Sequence, residues 1–100
     1  MMKYVTTYME GGRKFYICKA ENQGDADGYW GFEDKYVDRK SGELLKQFNG
    51  INGHHTSRLE DTIQMVSGQI RVDALVEAGM DRTEAAIKVV QEQYMERVGA

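Results

Sequence analysis

Residues 3–19 read KYVTTYMEGGRKFYICK, two short runs in which β-branched and aromatic residues recur, separated by Glu10-Gly11-Gly12-Arg13. Alternation with period two, rich in Tyr, Val, Thr, Phe and Ile, is what a half-buried strand requires, because successive side chains point to opposite sides of the pleat. The first run places Val5, Thr7 and Met9 on one face and Tyr4, Thr6 and Tyr8 on the other; the second sets Phe15 and Ile17 against Tyr16 and Cys18. The separating segment supplies a turn, so the runs pair as a β-hairpin.

Working outward, Tyr29–Val37 is aromatic enough for a third strand, and the polar turn Asp38–Gly42 returns the chain into a fourth, Glu43–Phe48. Gly31 inside the third strand predicts a bulge or a close approach by another backbone. Residues 49–56, NGINGHHT, carry two Asn-Gly turn signals and read as a connector. Ser57 with Glu60 then forms a capping-box pattern that opens a helix. Leu59, Ile63, Val66 and Ile70 make one stripe at helical spacing, whereas Val72, Leu75 and Val76 fall on the opposite face. That change of side predicts either a kink near Ser67-Gly68, where glycine costs about 1 kcal/mol relative to alanine, or a second cover for the later half; the kink is preferred. Gly79 suits the residue just past a helix end, and Asp81 with Glu84 caps a last helix that carries Ile87, Val90, Tyr94 and Val98 on one face. Strands over 1–48 followed by helices over 57–98 describe a single α+β domain: a small antiparallel sheet of about four strands in two hairpins, then two or three C-terminal helices packed on one face.

The 100 residues suffice for one modest core, and 41% hydrophobic with 29% charged residues is the composition of an ordinary folded domain. No run approaches a membrane span, and the start MMKYVTTYMEGG lacks the apolar centre of a signal peptide, so a cytoplasmic location is expected. The one cysteine, Cys18, has no internal disulfide partner and reads as a buried strand thiol. A net charge of −3 leaves no basic stripe of the kind that displaces counterions from phosphates, so direct nucleic-acid binding is not expected.

Residues 23–34 can be laid on a calcium loop, but Gln23 stands where aspartate begins it, Asp34 stands where glutamate closes it, and the flanks are strands. No metal and no cofactor are therefore expected. His54 and His55 are adjacent, so on an extended chain they point to different sides and do not chelate one ion. With Arg58 they form the alternative site, a small enzyme or ligand-binding domain in which histidine acts as base and arginine as charge clamp. Residues 74–86, ALVEAGMDRTEAA, have a helix-turn-helix outline and give a second alternative, DNA binding; the acidic start of the second helix opposes it.

The main expectation comes from residues 21–38, ENQGDADGYWGFEDKYVD: six carboxylates and one lysine give net −5, so the remaining 82 residues carry +2. Glu21, Asp25, Asp27, Glu33, Asp34 and Asp38 lie beside Tyr29, Trp30, Phe32 and Tyr36. Rings supply contact area and carboxylates supply steering, which suits a non-enzymatic module that binds a basic site on a larger, nucleic-acid-handling protein. The partner-binding set expected is Glu21, Asp25, Asp27, Tyr29, Trp30, Glu33, Asp34 and Asp38. The competing reading is that Trp30 and Phe32 fill the core while the acids are solvated. In size and character the chain is generically similar to small phage or mobile-element proteins that inhibit a host nucleic-acid machine, an anti-defence role among them, with no motif that assigns it to one such family. Met65, Val72, Val76, Val89 and Met95 do not all fit the stripes above, which leaves apolar surface for a homodimer through the C-terminal helices.

Overall fold

The computed structural model describes residues 2–22, 24–36 and 54–99. Strands β1 (Met2–Glu10), β2 (Arg13–Ala20), β3 (Gly28–Glu33) and β4 (His54–Thr56) precede helices α1 (Leu59–Glu77) and α2 (Arg82–Gly99). The strands form one antiparallel sheet in the order β1-β2-β3-β4. The α+β architecture is the expected one, with one reading corrected within it. His54–Thr56, read as connector, pairs with Tyr29–Gly31, while Asp38, its turn and the expected strand Glu43–Phe48 lie outside the described residues. No helix among the described residues is long and apolar enough to cross a membrane.

The hairpin forms with Gly11 and Gly12 both at positive φ. Its first strand departs from simple alternation: the register shifts between Tyr4 and Thr6, so Tyr4 opposes Cys18 while Thr6 opposes Ile17. That irregularity sends Tyr4 and Tyr8 to different faces. Tyr4 meets the edge of Tyr16, whereas Tyr8 packs against Phe15, Ile17, Val66 and Ile70, the core beneath α1. Gly31 sits in regular register between Ile17 and His54, with no bulge there. What approaches it is the Val66 side chain, whose Cγ2 would stand 2.6 Å from a Cβ at this position.

Helix α1 runs unbroken through Ser67-Gly68, so the preferred kink is absent. It lies between two layers. Leu59, Ile63, Val66 and Ile70 face the sheet; on the opposite side, Gln64, Gly68, Val72 and Leu75 share one line at helical spacing, and Gly68 touches Gln93 of α2. The stripe changes side because the later half is covered by α2. The expected Ser57 cap is also absent: Arg58 takes the cap position with no side-chain cap bond, and Thr56 Oγ1 accepts the Arg58 N–H at 3.2 Å instead. Thr56 Oγ1 lies 2.8 Å from Thr62 Oγ1, which donates to the Tyr29 carbonyl at 3.0 Å and so ties the start of α1 to the sheet.

The end of α1 is closed by the Gly79 N–H on Val76 and the Met80 N–H on Leu75, both at 3.0 Å, with Gly79 at φ +109, the glycine-dependent pattern expected there. Asp81 caps α2 by accepting the N–H groups of Thr83 (3.0 Å) and Glu84 (3.3 Å).

Candidate interaction surface

The rotation of α2 about its own axis determines which side chains the protein offers to its surroundings. Its inner line is Ala85 and Val89, both buried, followed by Gln93, whose amide donates to the Gln64 carbonyl at 2.8 Å. Small side chains and the Gly68 gap let the two helices approach closely. Glu92 and Glu96 lie along one edge of that line, and both reach Arg71 of α1, at 3.3 and 2.8 Å. Arg71 also holds Glu10 at the end of β1 (3.1 Å), and Glu10 accepts further hydrogen bonds from Ser67 (2.7 Å) and Tyr8.

In the observed rotation of α2 this polar clamp faces inward, and the expected packing face is overturned. Ile87, Val90, Tyr94 and Val98 do not face the core; with Met95 they form the outer side of α2, each between 55% and 65% exposed. Counting apolar residues alone picks the wrong side, because the inner side is specified by alanine, valine, glutamine and two glutamates. The one local signal on that side is the Glu92/Glu96 pair at i, i+4, whose mild mutual repulsion a cation between them relieves.

A second arginine ties α1 to the hairpin two residues farther along the helix. Arg13 donates to both oxygens of Glu33 (2.9 and 2.6 Å) and to Asp73 (2.8 Å), and Asp73 also meets Arg82 at 3.2 Å. The Arg13 hydrogen bond pulls the Glu33 carboxyl below its ordinary range against some desolvation. Burial by itself would raise Glu10 and Asp73, but hydrogen bonds from Tyr8, Ser67 and Arg71 to Glu10, and from Arg13 and Arg82 to Asp73, outweigh it and lower both.

The acidic aromatic stretch does not converge on one surface. Trp30 is 9% exposed and stacks on Phe32 and on the His55 ring, 4.3 Å between the latter centroids. A surface anchor at Trp30 is thereby replaced by a core residue. Tyr29 is half-buried on the α1 side of the sheet with Lys19 Nζ 5.6 Å from its ring. Glu21 lies within 3.7 Å of Lys3 and 3.6 Å of Lys19, Glu33 is held by Arg13, and Asp34 is half-buried. Asp25 and Asp27 are exposed on the β2–β3 connection; Asp38 lies outside the described residues.

The histidines point to opposite sides of β4, as an extended pair must. His54 Nε2 donates to the Gln69 amide oxygen beneath α1, while His55 Nε2 donates to the Asp27 carbonyl at 2.8 Å on the other face. Arg58 is exposed and 3.7 Å from Glu60. These three do not meet at a common point where a substrate could sit. Among the described residues no three His, Cys, Asp or Glu side chains are grouped as a metal ion would need. Cys18 is buried, and desolvation pushes its thiol up to about 11, the inert strand thiol expected.

Neither a protein-family model nor a curated protein nor a solved structure matches the chain. The functional reading therefore rests on the geometry above.

Proposed function

We propose that this chain is a non-enzymatic protein–protein interaction module whose contact surface is the outer side of α2. The observation that carries the reading is five large apolar side chains, Ile87, Val90, Tyr94, Met95 and Val98, presented together on a helix already fixed from its other side. Side chains of ordinary size exposed to those fractions amount to on the order of 600 Å², at the upper end of the largest patch on a typical monomer and of a size that marks an interaction site. Tyr94 supplies a rigid amphipathic ring of the type that dominates interface energetics.

A second surface follows from the exposure of Asp25 and Asp27 on the β2–β3 connection. There the module would approach a basic site on a larger protein, the arrangement expected of a phage or mobile-element inhibitor, and the attraction would weaken as salt rises. Photo-cross-linking in source cells separates the two surfaces. A benzophenone amino acid placed at Tyr94 is expected to capture polypeptide, and one at exposed Glu77, away from the stripe, is not. Capture at Asp25 that disappears at high salt would move the contact to the acidic connection. Absence of any protein adduct at Tyr94 would remove the α2 reading.

A further inference from the structure

We infer that the outer side of α2 is a self-association surface, and that two copies of this chain pair through it antiparallel about a two-fold axis near Val90 and Gln91. The inference rests on the interaction reading above and names its partner.

Area, charge and symmetry each point to a second copy. On helical spacing the outer stripe is centred on Thr83, Ile87, Tyr94 and Val98, flanked closely by Val90 and Gln91. No charged side chain lies inside it; Glu84, Lys88 and Arg97 stand at its rim. A surface built for a strongly acidic or basic partner would carry the countercharge among its contacts. A stripe without charge is instead complementary to itself, because pairing with its own copy opposes no like charges across the centre. One facing helix covers about half of the ~600 Å² on each copy, so the two stripes bury roughly 600 Å² between them and, with the rim side chains that close around them, make a contact at the small end of specific interfaces. The two copies use the same patch, so the contact closes at two and does not propagate.

Antiparallel pairing brings the positive end of each helix dipole to the negative end of its neighbour. With the axis between residues 90 and 91, Ile87 of one copy faces Tyr94 of the other, and Thr83 faces Val98. The aromatic ring then seats against a branched aliphatic side chain instead of against a second ring. Each sheet lies on the far side of its own α1, so the assembly stacks sheet, α1, α2, α2, α1 and sheet, and the four helices form a central block.

Sedimentation equilibrium of the purified chain over a wide concentration range tests the pairing, and Val90→Glu tests the surface. The native chain is expected to be dimeric at micromolar concentration. Val90→Glu would bury a carboxylate at the axis and weaken the dimer by a hundredfold or more, roughly 3 kcal/mol. Its helical circular dichroism should persist, because Val90 makes no part of the inner line. A native chain that stays monomeric at high concentration, or a dimer that Val90→Glu leaves unchanged, overturns the inference. Orientation is read by cysteine: a mixture of Ile87→Cys and Tyr94→Cys chains should oxidise to the mixed disulfide, whereas closure of Ile87→Cys on itself would overturn the antiparallel pairing. In the photo-cross-linking experiment, an adduct at Tyr94 to a different protein keeps the interaction reading and eliminates the dimer; no adduct eliminates both.

Discussion

Replacing Gly31 by alanine probes the contact that sets the distance between the sheet and α1. The added methyl would stand 2.6 Å from Val66 Cγ2 and 3.3 Å from Ile17 Cδ1, whereas carbon atoms settle at about 3.5–4.0 Å. Roughly 1 Å of retreat is therefore needed. Val66 and Ile17 are fully buried, and a valine in a helix has essentially one comfortable rotamer, so α1 itself must move. Overpacking of this kind costs about 1–3 kcal/mol. Removing a glycine from a strand interior returns about 0.5–1 kcal/mol, which leaves a net destabilisation of about 1–2 kcal/mol and a fall in melting temperature of roughly 5–15 °C for a domain of this size. Val66→Ala alone opens a cavity and should cost about 2 kcal/mol. In the double variant the new methyl occupies the vacated space, so the two losses should fall short of their sum by about 1 kcal/mol or more. Urea unfolding followed through the single buried Trp30, at one fixed protein concentration so that association contributes equally, gives all four corners of the cycle. Additivity within about 0.5 kcal/mol, or a Gly31→Ala chain as stable as the native one, would refute the close approach.

Three further outcomes follow from the polar clamps and the thiol. Arg71→Met should leave Glu10, Glu92 and Glu96 facing one another and destabilise the fold by about 1–3 kcal/mol, between the values for exposed and buried pairs; hydrogen exchange should show α2 amides losing protection first, and unchanged protection there would count against the clamp. Glu10, Glu33 and Asp73 all have folded pKa values below the ordinary 4.5, 4.5 and 3.8. The unfolded chain thus binds protons more readily at these sites, so their stabilisation is complete above about pH 4.5 and is lost as pH falls through the lowered folded values; urea midpoints that stay flat from pH 6 to 3 would contradict this. Cys18, raised to about 11, should react with a thiol reagent at pH 8 only after denaturant is added, and rapid modification of the native chain would contradict its burial.

The first hairpin could be read from the sequence because alternation and a double glycine are local signals. The irregularity at Val5 could not, since it depends on how β1 settles against β2, and it redistributes Tyr4 and Tyr8 between faces. The strand at 54–56 could not be read, because three polar residues are too few for a periodicity to register; their pairing with β3 supplies what composition lacks. In the candidate site, the stretch at 21–38 suggested one acidic aromatic face. Strand alternation divides it instead, with Tyr29 and Glu33 on the α1 side and Trp30 and Phe32 on the other. Arg13 and Asp73 meet across 60 positions of sequence, as do Glu10 and Arg71 across 61, and no spacing rule finds such pairs.

The inside-out amphipathicity of α2 is the feature that most needs a physical account. Rotating the helix by half a turn would bring the outer stripe against α1. Only about half of its exposed area could be covered by a single neighbouring helix, a gain of roughly 7 kcal/mol at the usual 25 cal/mol per Å². The same rotation would take Glu92 and Glu96 away from Arg71 and Gln93 from Gln64. Hydrogen bonds to charged groups contribute about 1.5–3 kcal/mol each and neutral ones about 1, and Arg71 would be left beneath apolar side chains with Glu10 alone. With Glu92 and Glu96 about half exposed, these losses come to roughly 2–4 kcal/mol, so in a lone chain the polar bonds do not outweigh the apolar gain. A second copy removes the conflict. It covers the stripe on both helices while every polar bond of the inner line stays in place, so both terms then favour the observed rotation. On this argument the dimer contact helps specify the rotation of α2. Val90→Glu should accordingly loosen the α2 amides in hydrogen exchange as well as split the dimer, whereas Arg71→Met should weaken association together with stability.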